Sequence, residues 1–301
     1  MKNVSDLISQ YLFVCQKQRC LNEKTVKAYR IDLTQFAAFW DEHQAKDERE
    51  VITSYIITMN HTLKPRSVKR KTASIRAFYT YLEHEELIKY NPFSKLRLAM
   101  QMPLQLPRTI PQRVIAQMLS AAYTDLRHAV TPTSKNLALR NATVMELLFS
   151  TGIRVSELCG LNVEDVDLIE GTIRIWGKGA KERIIQIGHP TVLDVLQKYQ
   201  IAVKSTQAFF LNRNGKRLTD QSVRSMINRY AIHVNSPIHI TPHMFRHSFA
   251  TLLMEENVDI RYIQQILGHS SIATTQIYTH VSMKKQREIL TLSNPRNQIP
   301  L

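Results

Sequence analysis

Residues 171–187, GTIRIWGKGAKERIIQI, decide the fold class because apolar and polar residues alternate here in an otherwise helix-like chain. Isoleucines recur at every second position on either side of a Gly-Lys-Gly turn: Ile173, Ile175, Ile185 and Ile187. This period of two predicts a β-hairpin with Lys178 at its tip. We therefore predict a mainly α-helical chain with one small β-hairpin or sheet.

The first hundred residues predict a purely helical domain. Residues 4–18 and 22–43 carry apolar side chains at helical spacing, and a third run covers about 48–60. A fourth helix begins at Pro65, a residue suited to the first turn. Its buried stripe is predicted to consist of Val68, Ile75, Phe78, Tyr79 and Leu82.

The same fourth helix carries a run of basic residues without an acidic one. Four of them fall mostly off the buried stripe, on a solvent-facing side: Arg66, Lys69, Arg70 and Arg76. Lys71 adds a fifth positive charge. A charged helix face is usually only solvated, but this density of positive charge favours contacts with phosphate groups. We predict that this face binds DNA.

The whole chain is basic, with 40 Lys and Arg against 25 Asp and Glu and a net charge of +15. A polyanion is the natural partner of such a protein, and nucleic acid is the first candidate. The three cysteines form no CxxC pair, which argues against a disulfide framework or a structural zinc site. We find no export signal and no run of 18 apolar residues, and expect a cytoplasmic protein that does not span a membrane.

Residues 96–111, LRLAMQMPLQLPRTIP, hold three prolines and no amphipathic period. This composition is typical of an extended linker between domains. The sequence therefore predicts a helical DNA-binding domain over 1–95, a linker over 96–111 and a mixed, mostly helical domain over 112–301.

The second domain contains clear helix boundaries near its C-terminal end. Thr241 and Pro242 suit the start of a helix over TPHMFRHSFATLLMEEN, which Asn257 can end. Asp259 can cap the next helix, and Gly268 terminates it. A final short helix is expected to carry Tyr278, and 282–292 predicts a further amphipathic helix.

Several residues in this domain could act together on a phosphodiester. An attacking tyrosine, with an ordinary pKa of ~10, needs a base, an acid for the leaving oxygen and cations for the phosphate charge. Residues of these types lie at positions that suggest exposure: Arg154, Lys178, His243, Arg246, His269 and Tyr278. Taken singly, each has an ordinary structural explanation.

Four segments in order make the set specific: TGIRVSEL (151–158), GKGAKER (177–183), TPHMFRHSFAT (241–251) and LGHSSIATTQIYTH (267–280). They closely resemble the signature boxes of the tyrosine recombinase (phage integrase) family. The chain length and helical N-terminal domain are most similar to its compact bacterial Xer branch. The resemblance covers essentially the whole chain and implies a core-binding domain followed by a catalytic domain.

The resemblance implies a role for each matching residue. Tyr278 would be the nucleophile, Arg154 and Arg246 would clamp the scissile phosphate, and His269 would hydrogen-bond that phosphate in the transition state.

Lys178 would be the general acid that protonates the departing 5′ oxygen, and His243 would assist as the general base. Glu157 matches the family's acidic position and would orient side chains of the site. Three neighbours could be confused with these residues: Lys181, Arg183 and His247.

The implied reaction uses no cofactor and no metal. It passes through a 3′-phosphotyrosyl link and a Holliday junction, on double-stranded DNA with an inverted-repeat recombination site. The resemblance implies a homotetramer, or a heterotetramer with a paralogue. The helix over 282–292 would dock on a neighbouring protomer, with packing on its own chain as the alternative.

Two other functions use some of the same features. A type IB topoisomerase shares the Tyr, Arg, Lys and His chemistry but needs no partner duplex, and the Xer-like N-terminal domain and the LGHSS box disfavour it. A DNA-binding protein without enzymatic activity would have no reason to combine Arg154, Lys178, Arg246 and Tyr278.

Overall fold

The computed structural model describes residues 4–43, 47–96, 109–176, 182–205, 207–256, 258–268 and 283–299. The chain divides into two compact units, residues 1–105 and 106–301. The predicted linker over 96–111 lies mostly outside the described residues. Of its last residues, Ile110 is buried within the second unit, where its N–H donates to Ser248 Oγ at 2.8 Å.

The first unit is entirely helical in its described part. Its α-helices are α1 (Val4–Lys17), α2 (Glu23–Glu42), α3 (Glu48–Thr62) and α4 (Pro65–His84), followed by a short 3₁₀ helix over Pro92–Lys95. Side chains at two helix starts accept from backbone N–H groups, Asn22 from Lys24 and Asp47 from Arg49. Pro65 occupies the first turn of α4, as predicted.

The core of the first unit is rich in aromatic side chains. All five residues of the predicted α4 stripe are buried. Tyr11 of α1 packs on Phe78 with ring centroids 5.6 Å apart, and Phe36 of α2 meets Tyr79 edge-on at 6.2 Å. These large rings bury apolar area together with the aliphatic side chains of the same core, and this burial holds the four helices together.

The second unit combines helices with one small sheet. Its α-helices are α5 (Gln112–His128), α6 (Pro132–Thr151), α7 (Val155–Gly160), α8 (Pro190–Val203), α9 (Asp220–His233), α10 (Pro242–Glu255), α11 (Ile260–Leu267) and α12 (Met283–Leu292). Short 3₁₀ helices cover Val163–Asp165 and Pro295–Gln298. The prediction of a mainly helical chain with a small hairpin is confirmed. None of the helices in the described ranges is long and apolar enough to cross a membrane.

The sheet has three antiparallel strands in the order β1 (Val166–Asp167), β2 (Thr172–Trp176) and β3 (Glu182–Gln186). The predicted hairpin is confirmed, with Ile173 opposite Ile185 and both buried. The sequence did not predict β1, which pairs only two residues with β2. The hairpin tip, residues 177–181, lies outside the described residues.

Helix α6 is the centre of the second unit. Every residue from Asn141 to Thr151 is buried, and α5, α8 and α10 pack around it. The C-terminal half of α6 is therefore enclosed by close packing, which holds the C-terminus of the helix in place. The candidate site lies at that C-terminus.

The C-terminal segment packs on the second unit of its own chain. Ile289 and Leu290 of α12 are buried, and α12 contacts β3. Beyond α12, Arg296 donates to Glu146 of α6 at 2.7 Å, in an ion pair that is almost completely buried. The predicted contact of α12 with a neighbouring protomer stays a prediction.

Candidate active site

A tight glycine turn places Arg154 at the end of α6. Gly152 ends the helix in the left-handed conformation, with φ +62°, and Arg154 is the N-cap residue of α7. A Cβ added to Gly152 would lie 2.6 Å from Phe249 Cδ1 and 2.7 Å from Leu267 Cδ2. The turn therefore needs glycine both for its backbone angles and for the close approach of two side chains.

The Arg154 side chain points to the C-terminus of α11. Its Nη1 donates to Glu157 Oε1 at 2.8 Å and to the Leu267 carbonyl at 3.4 Å. Its Nη2 donates to the Gly268 carbonyl at 3.2 Å. The Arg154 side chain is still 37% exposed, so part of the guanidinium faces solvent.

Arg246 of α10 reaches the same place from within the core and is only 3% exposed. Its Nη1 donates to the Gly152 carbonyl at 2.8 Å, and its Nη2 donates to the Leu267 carbonyl at 2.6 Å. Burial, followed by the positive charge of Arg154, lowers the pKa of Arg246 to about 9. The group therefore remains a cation at neutral pH.

Two helix C-termini compensate these neighbouring positive charges. Helices α6 and α11 both end in a left-handed glycine, Gly152 and Gly268. The carbonyls at a helix C-terminus carry partial negative charge and lack partners within the helix. Here they accept hydrogen bonds from Arg154 and Arg246, which holds two like charges side by side in a partly buried site.

Glu157 connects Arg154 to a third arginine. Its Oε2 accepts from the Arg154 backbone N–H at 3.0 Å, and Arg183 of β3 donates to both carboxylate oxygens, at 3.0 and 2.7 Å. Burial would raise the pKa of the Glu157 carboxyl. The hydrogen bonds and charge of Arg183, with those of Arg154, outweigh burial and hold that pKa below its usual range.

His243 lies exposed in the first turn of α10, one turn before His247. The two rings meet edge-on, with centroids 4.4 Å apart. Partial burial, followed by His247 and the charges of Arg246 and Arg154, lowers the pKa of His243. At neutral pH the His243 ring is therefore mostly neutral, which is the form that can accept a proton.

Three of the predicted site residues, Lys178, His269 and Tyr278, lie outside the described residues. The structure brings together Arg154, Glu157 and Arg246, and places His243 on the same helix as Arg246. Gly268, which precedes His269 in the sequence, contacts Arg154 directly. In the part of the chain that the structure describes, no three His, Cys, Asp or Glu side chains lie close enough to hold a metal ion.

In the sequence, Arg183 stands out only as a residue that could be mistaken for a site residue. The alternation of inward-facing and outward-facing residues along β3 could have predicted that the Arg183 side chain faces inward. Arg183 pairs with Ile175 in the sheet and is two residues before Ile185, and both isoleucines are buried. An arginine at an inward-facing strand position needs a buried acidic partner, and Glu157 is that partner.

The predicted DNA-binding face of α4 is exposed at all four positions, but they differ in their contacts. Arg70 forms a salt bridge with Asp32 of α2, whose side chain has no exposure. Arg76 lies over the Phe93 ring, with Cζ 5.4 Å from the centroid. Lys71, part of the same basic run, is buried and also donates to Asp32.

Comparison with known protein families matches both parts of the chain. The model described as the phage integrase family matches residues 109–285, and the one described as the phage integrase N-terminal SAM-like domain matches residues 8–86.

Relatives of similar length match over nearly the whole chain. A tyrosine recombinase from Agathobacter rectalis is 49% identical and matches over 98% of each chain. Tyrosine recombinase XerC of Thermodesulfovibrio yellowstonii is 35% identical, over 98% of each chain. Tyrosine recombinase XerD of Staphylococcus epidermidis is also 35% identical, over 97% of this chain and 100% of the relative.

Solved structures share the fold at lower identity. XerH site-specific recombinase, bound to palindromic difH substrate in a post-cleavage complex, matches with a TM-score of 0.71 and 22% identity, over 95% of this chain and 84% of the other. A lambda integrase dimer bound to a COC′ core site matches with a TM-score of 0.70 and 16% identity, over 92% and 99%. The chain thus belongs to the phage integrase family of tyrosine recombinases, enzymes that break and rejoin DNA.

Proposed function

We propose that this chain is a site-specific recombinase that cleaves DNA through a 3′-phosphotyrosyl link to Tyr278 and exchanges strands through a Holliday junction. One observation supports this most directly. Arg154 and Arg246, far apart in the sequence, donate to the same carbonyl oxygen, that of Leu267, two residues before His269. Two adjacent guanidiniums suit the two nonbridging oxygens of one phosphodiester.

In the proposed cleavage step, the Tyr278 oxygen attacks the scissile phosphorus as His243 takes the phenol proton. The bond from phosphorus to the 5′ oxygen breaks, and Lys178 gives that oxygen a proton. Arg154 and Arg246 stabilise the charge that develops on the nonbridging oxygens, with a hydrogen bond from His269. Glu157 holds Arg154 in position and does not react.

The second step reverses the first with a new strand. A 5′ hydroxyl from a partner duplex attacks the phosphotyrosyl link, so the bond energy is conserved and no cofactor is consumed. We propose that four protomers act on two inverted-repeat sites, as a homotetramer or with a paralogue, in the cytoplasm. The exposed basic residues Arg66, Lys69, Arg70 and Arg76 would contact the duplex.

Covalent trapping tests this function. The substrate is a duplex with an inverted-repeat site selected from random-sequence DNA by binding, and nicked so that a short 5′-hydroxyl fragment escapes after cleavage. We expect a covalent adduct with the wild-type chain, none with Tyr278→Phe, and near-normal DNA binding by both. Tyr262→Phe, on the neighbouring α11, serves as the matched control and should keep the adduct.

The outcomes separate the alternatives. An adduct that persists in Tyr278→Phe and disappears in Tyr262→Phe would move the nucleophile to α11. Relaxation of supercoiled DNA without junctions between two duplexes would favour the topoisomerase alternative. Binding without any adduct in the wild type would leave only a DNA-binding protein.

A further inference from the structure

We propose that Arg183 is a positioning residue for strand cleavage, which acts on the phosphate by holding Glu157 and, through it, Arg154. This inference rests on the proposed function. It assigns a role in the reaction to a residue of β3 whose own side chain is turned away from solvent.

The contact between Arg183 and Glu157 has the geometry of a rigid fork. Both terminal nitrogens of Arg183 donate to the two carboxylate oxygens, at 3.0 and 2.7 Å. The side chains are 15% and 7% exposed, so water competes little for these bonds. A bidentate arginine–carboxylate pair fixes the plane of the carboxylate, which a single hydrogen bond does not do.

The fixed carboxylate holds Arg154 at two points. Glu157 Oε2 accepts from the Arg154 backbone N–H, and Oε1 accepts from its Nη1. The backbone of Arg154 and the charged end of its side chain are therefore both bonded to the Glu157 carboxylate. Loss of Arg183 would free Glu157 to turn about its side-chain bonds and would carry the Arg154 guanidinium with it.

Arg183 also preserves the positive charge that Arg154 offers to a phosphate. A carboxylate bonded to Arg154 alone would largely neutralise that arginine. With Arg183 present, one negative charge is shared between two guanidiniums, and Arg246 adds a third. The cluster of Arg154, Arg183, Arg246 and Glu157 thus keeps a net charge of two positive units, which an anion can bind.

The third contact of Arg183 is with the end of α11. A Cβ added at Gly268 would lie 3.0 Å from Arg183 Cδ and Nη1, so the Arg183 side chain packs directly on this glycine. The Gly268 carbonyl in turn accepts from Arg154. Arg183 therefore joins its own strand, β3, to Gly268, the residue that precedes His269 in the sequence.

Single-turnover cleavage of the nicked duplex tests the role. We expect Arg183→Ala to cleave at least ~10-fold more slowly than the wild type while its DNA affinity changes by less than about twofold. Arg183→Lys keeps the positive charge but loses the bidentate hydrogen bonds, so its cleavage rate should lie between those of the wild type and Arg183→Ala. Arg174→Ala removes an arginine of β2 that pairs only weakly, at 3.9 Å, with Glu182, and should cleave normally.

Two further readouts distinguish positioning from a general loss of structure. In a Glu157→Gln background, Arg183→Ala should lower the cleavage rate by a far smaller factor than it does in the wild type, because both substitutions act through the Glu157 carboxylate. On a methylphosphonate substrate, a nonbridging oxygen is replaced by an uncharged methyl group. The defects of Arg154→Ala and Arg183→Ala should then shrink together.

Each contrary result has a defined meaning. Equal defects on the phosphate and the methylphosphonate, or additive effects with Glu157→Gln, would overturn the proposal. Normal cleavage by Arg183→Ala would overturn it while the proposed function stands. An absence of adduct in the wild type would reject the proposed function, and this proposal with it. If Arg183→Ala does not fold, Arg183→Lys and Arg183→Gln replace it in the comparisons with Glu157→Gln and with the methylphosphonate substrate.

Discussion

Arg154 and Arg246 donate hydrogen bonds to one oxygen atom, the carbonyl of Leu267 at the end of α11. Two guanidiniums this close repel each other, and the shared acceptor offsets that repulsion. Nothing has to be rearranged to bring the two cations together before DNA arrives. Such preorganisation is the main way that a protein lowers the barrier to phosphoryl transfer.

The first prediction concerns Gly152, whose carbonyl accepts from Arg246. We expect Gly152→Ala to lower the free energy of unfolding of the second unit by about 2–4 kcal/mol, from backbone strain plus the clash with Phe249. Gly215→Ala is the matched control. Gly215 also has positive φ, +73°, but no atom of the described residues lies within 4 Å of an added Cβ. Gly215→Ala should lower the free energy of unfolding by only about 1 kcal/mol.

Urea unfolding measures the free energy of unfolding of both variants. Equal losses of stability in Gly152→Ala and Gly215→Ala would mean that Phe249 and Leu267 move away from the added methyl group without cost. The close packing at the end of α6 would then not be what fixes Arg154 in place.

The second prediction separates two neighbours on α4. Arg70→Ala should destabilise the first unit by about 1–2 kcal/mol, because buried Asp32 loses one of its cations and keeps Lys71 and Ser74. Lys69→Ala should leave stability within about 0.5 kcal/mol and weaken DNA binding at all sequences, lowering the salt slope by about one.

Thermal unfolding and binding titrations at several salt concentrations measure these effects. A change of affinity confined to one base position in Lys69→Ala would mean that α4 reads sequence instead of contacting phosphates. Normal stability in Arg70→Ala would mean that Lys71 and Ser74 alone satisfy Asp32.

The third prediction is a pH dependence. Because the pKa of His243 is lowered, a base at this position is still mostly neutral when the pH falls to about 6.5, the ordinary pKa of histidine. Cleavage should therefore hold as pH falls through that value and be lost only below it. His247→Gln removes a neighbour that lowers the pKa, so its acidic limb should move upward, towards the ordinary value.

Single-turnover rates across the acidic range test this, with His233→Gln at the end of α9 as the control. An unchanged limb in His247→Gln, together with a shifted limb in a variant of another titrating residue, would show that His243 is not the group that titrates.

The sequence predicts those features of the fold that depend on local signals. Proline at a first turn, Asp259 as a cap and Gly268 as a helix end all act within a few residues, and each lies where it was expected. The α4 stripe and the hairpin follow from periodicity alone.

Features that depend on tertiary contacts were not predicted. Asp32 looks like any polar residue of an amphipathic helix, but in the fold it is fully buried and bonded to Arg70, Lys71 and Ser74 of α4. The strand β1 is two residues long and exists only through its pairing with β2. The Gly152 and Leu267 carbonyls could not be predicted as acceptors for Arg246 either. Every residue has a carbonyl, and only the fold decides which ones contact an arginine.

The last prediction distinguishes Lys178 from Lys181 as the general acid. A departing 5′ alkoxide needs a proton, whereas a sulfur leaving group has a much lower pKa and can depart without one. Lys178→Ala should therefore cleave an ordinary phosphodiester poorly and recover on a substrate with sulfur at the bridging 5′ position. Arg154→Ala should stay impaired on both substrates, because its targets are the nonbridging oxygens. Single-turnover rates on matched oxygen and sulfur duplexes measure this. Recovery by Lys181→Ala and not by Lys178→Ala would place the acid three residues further along the hairpin.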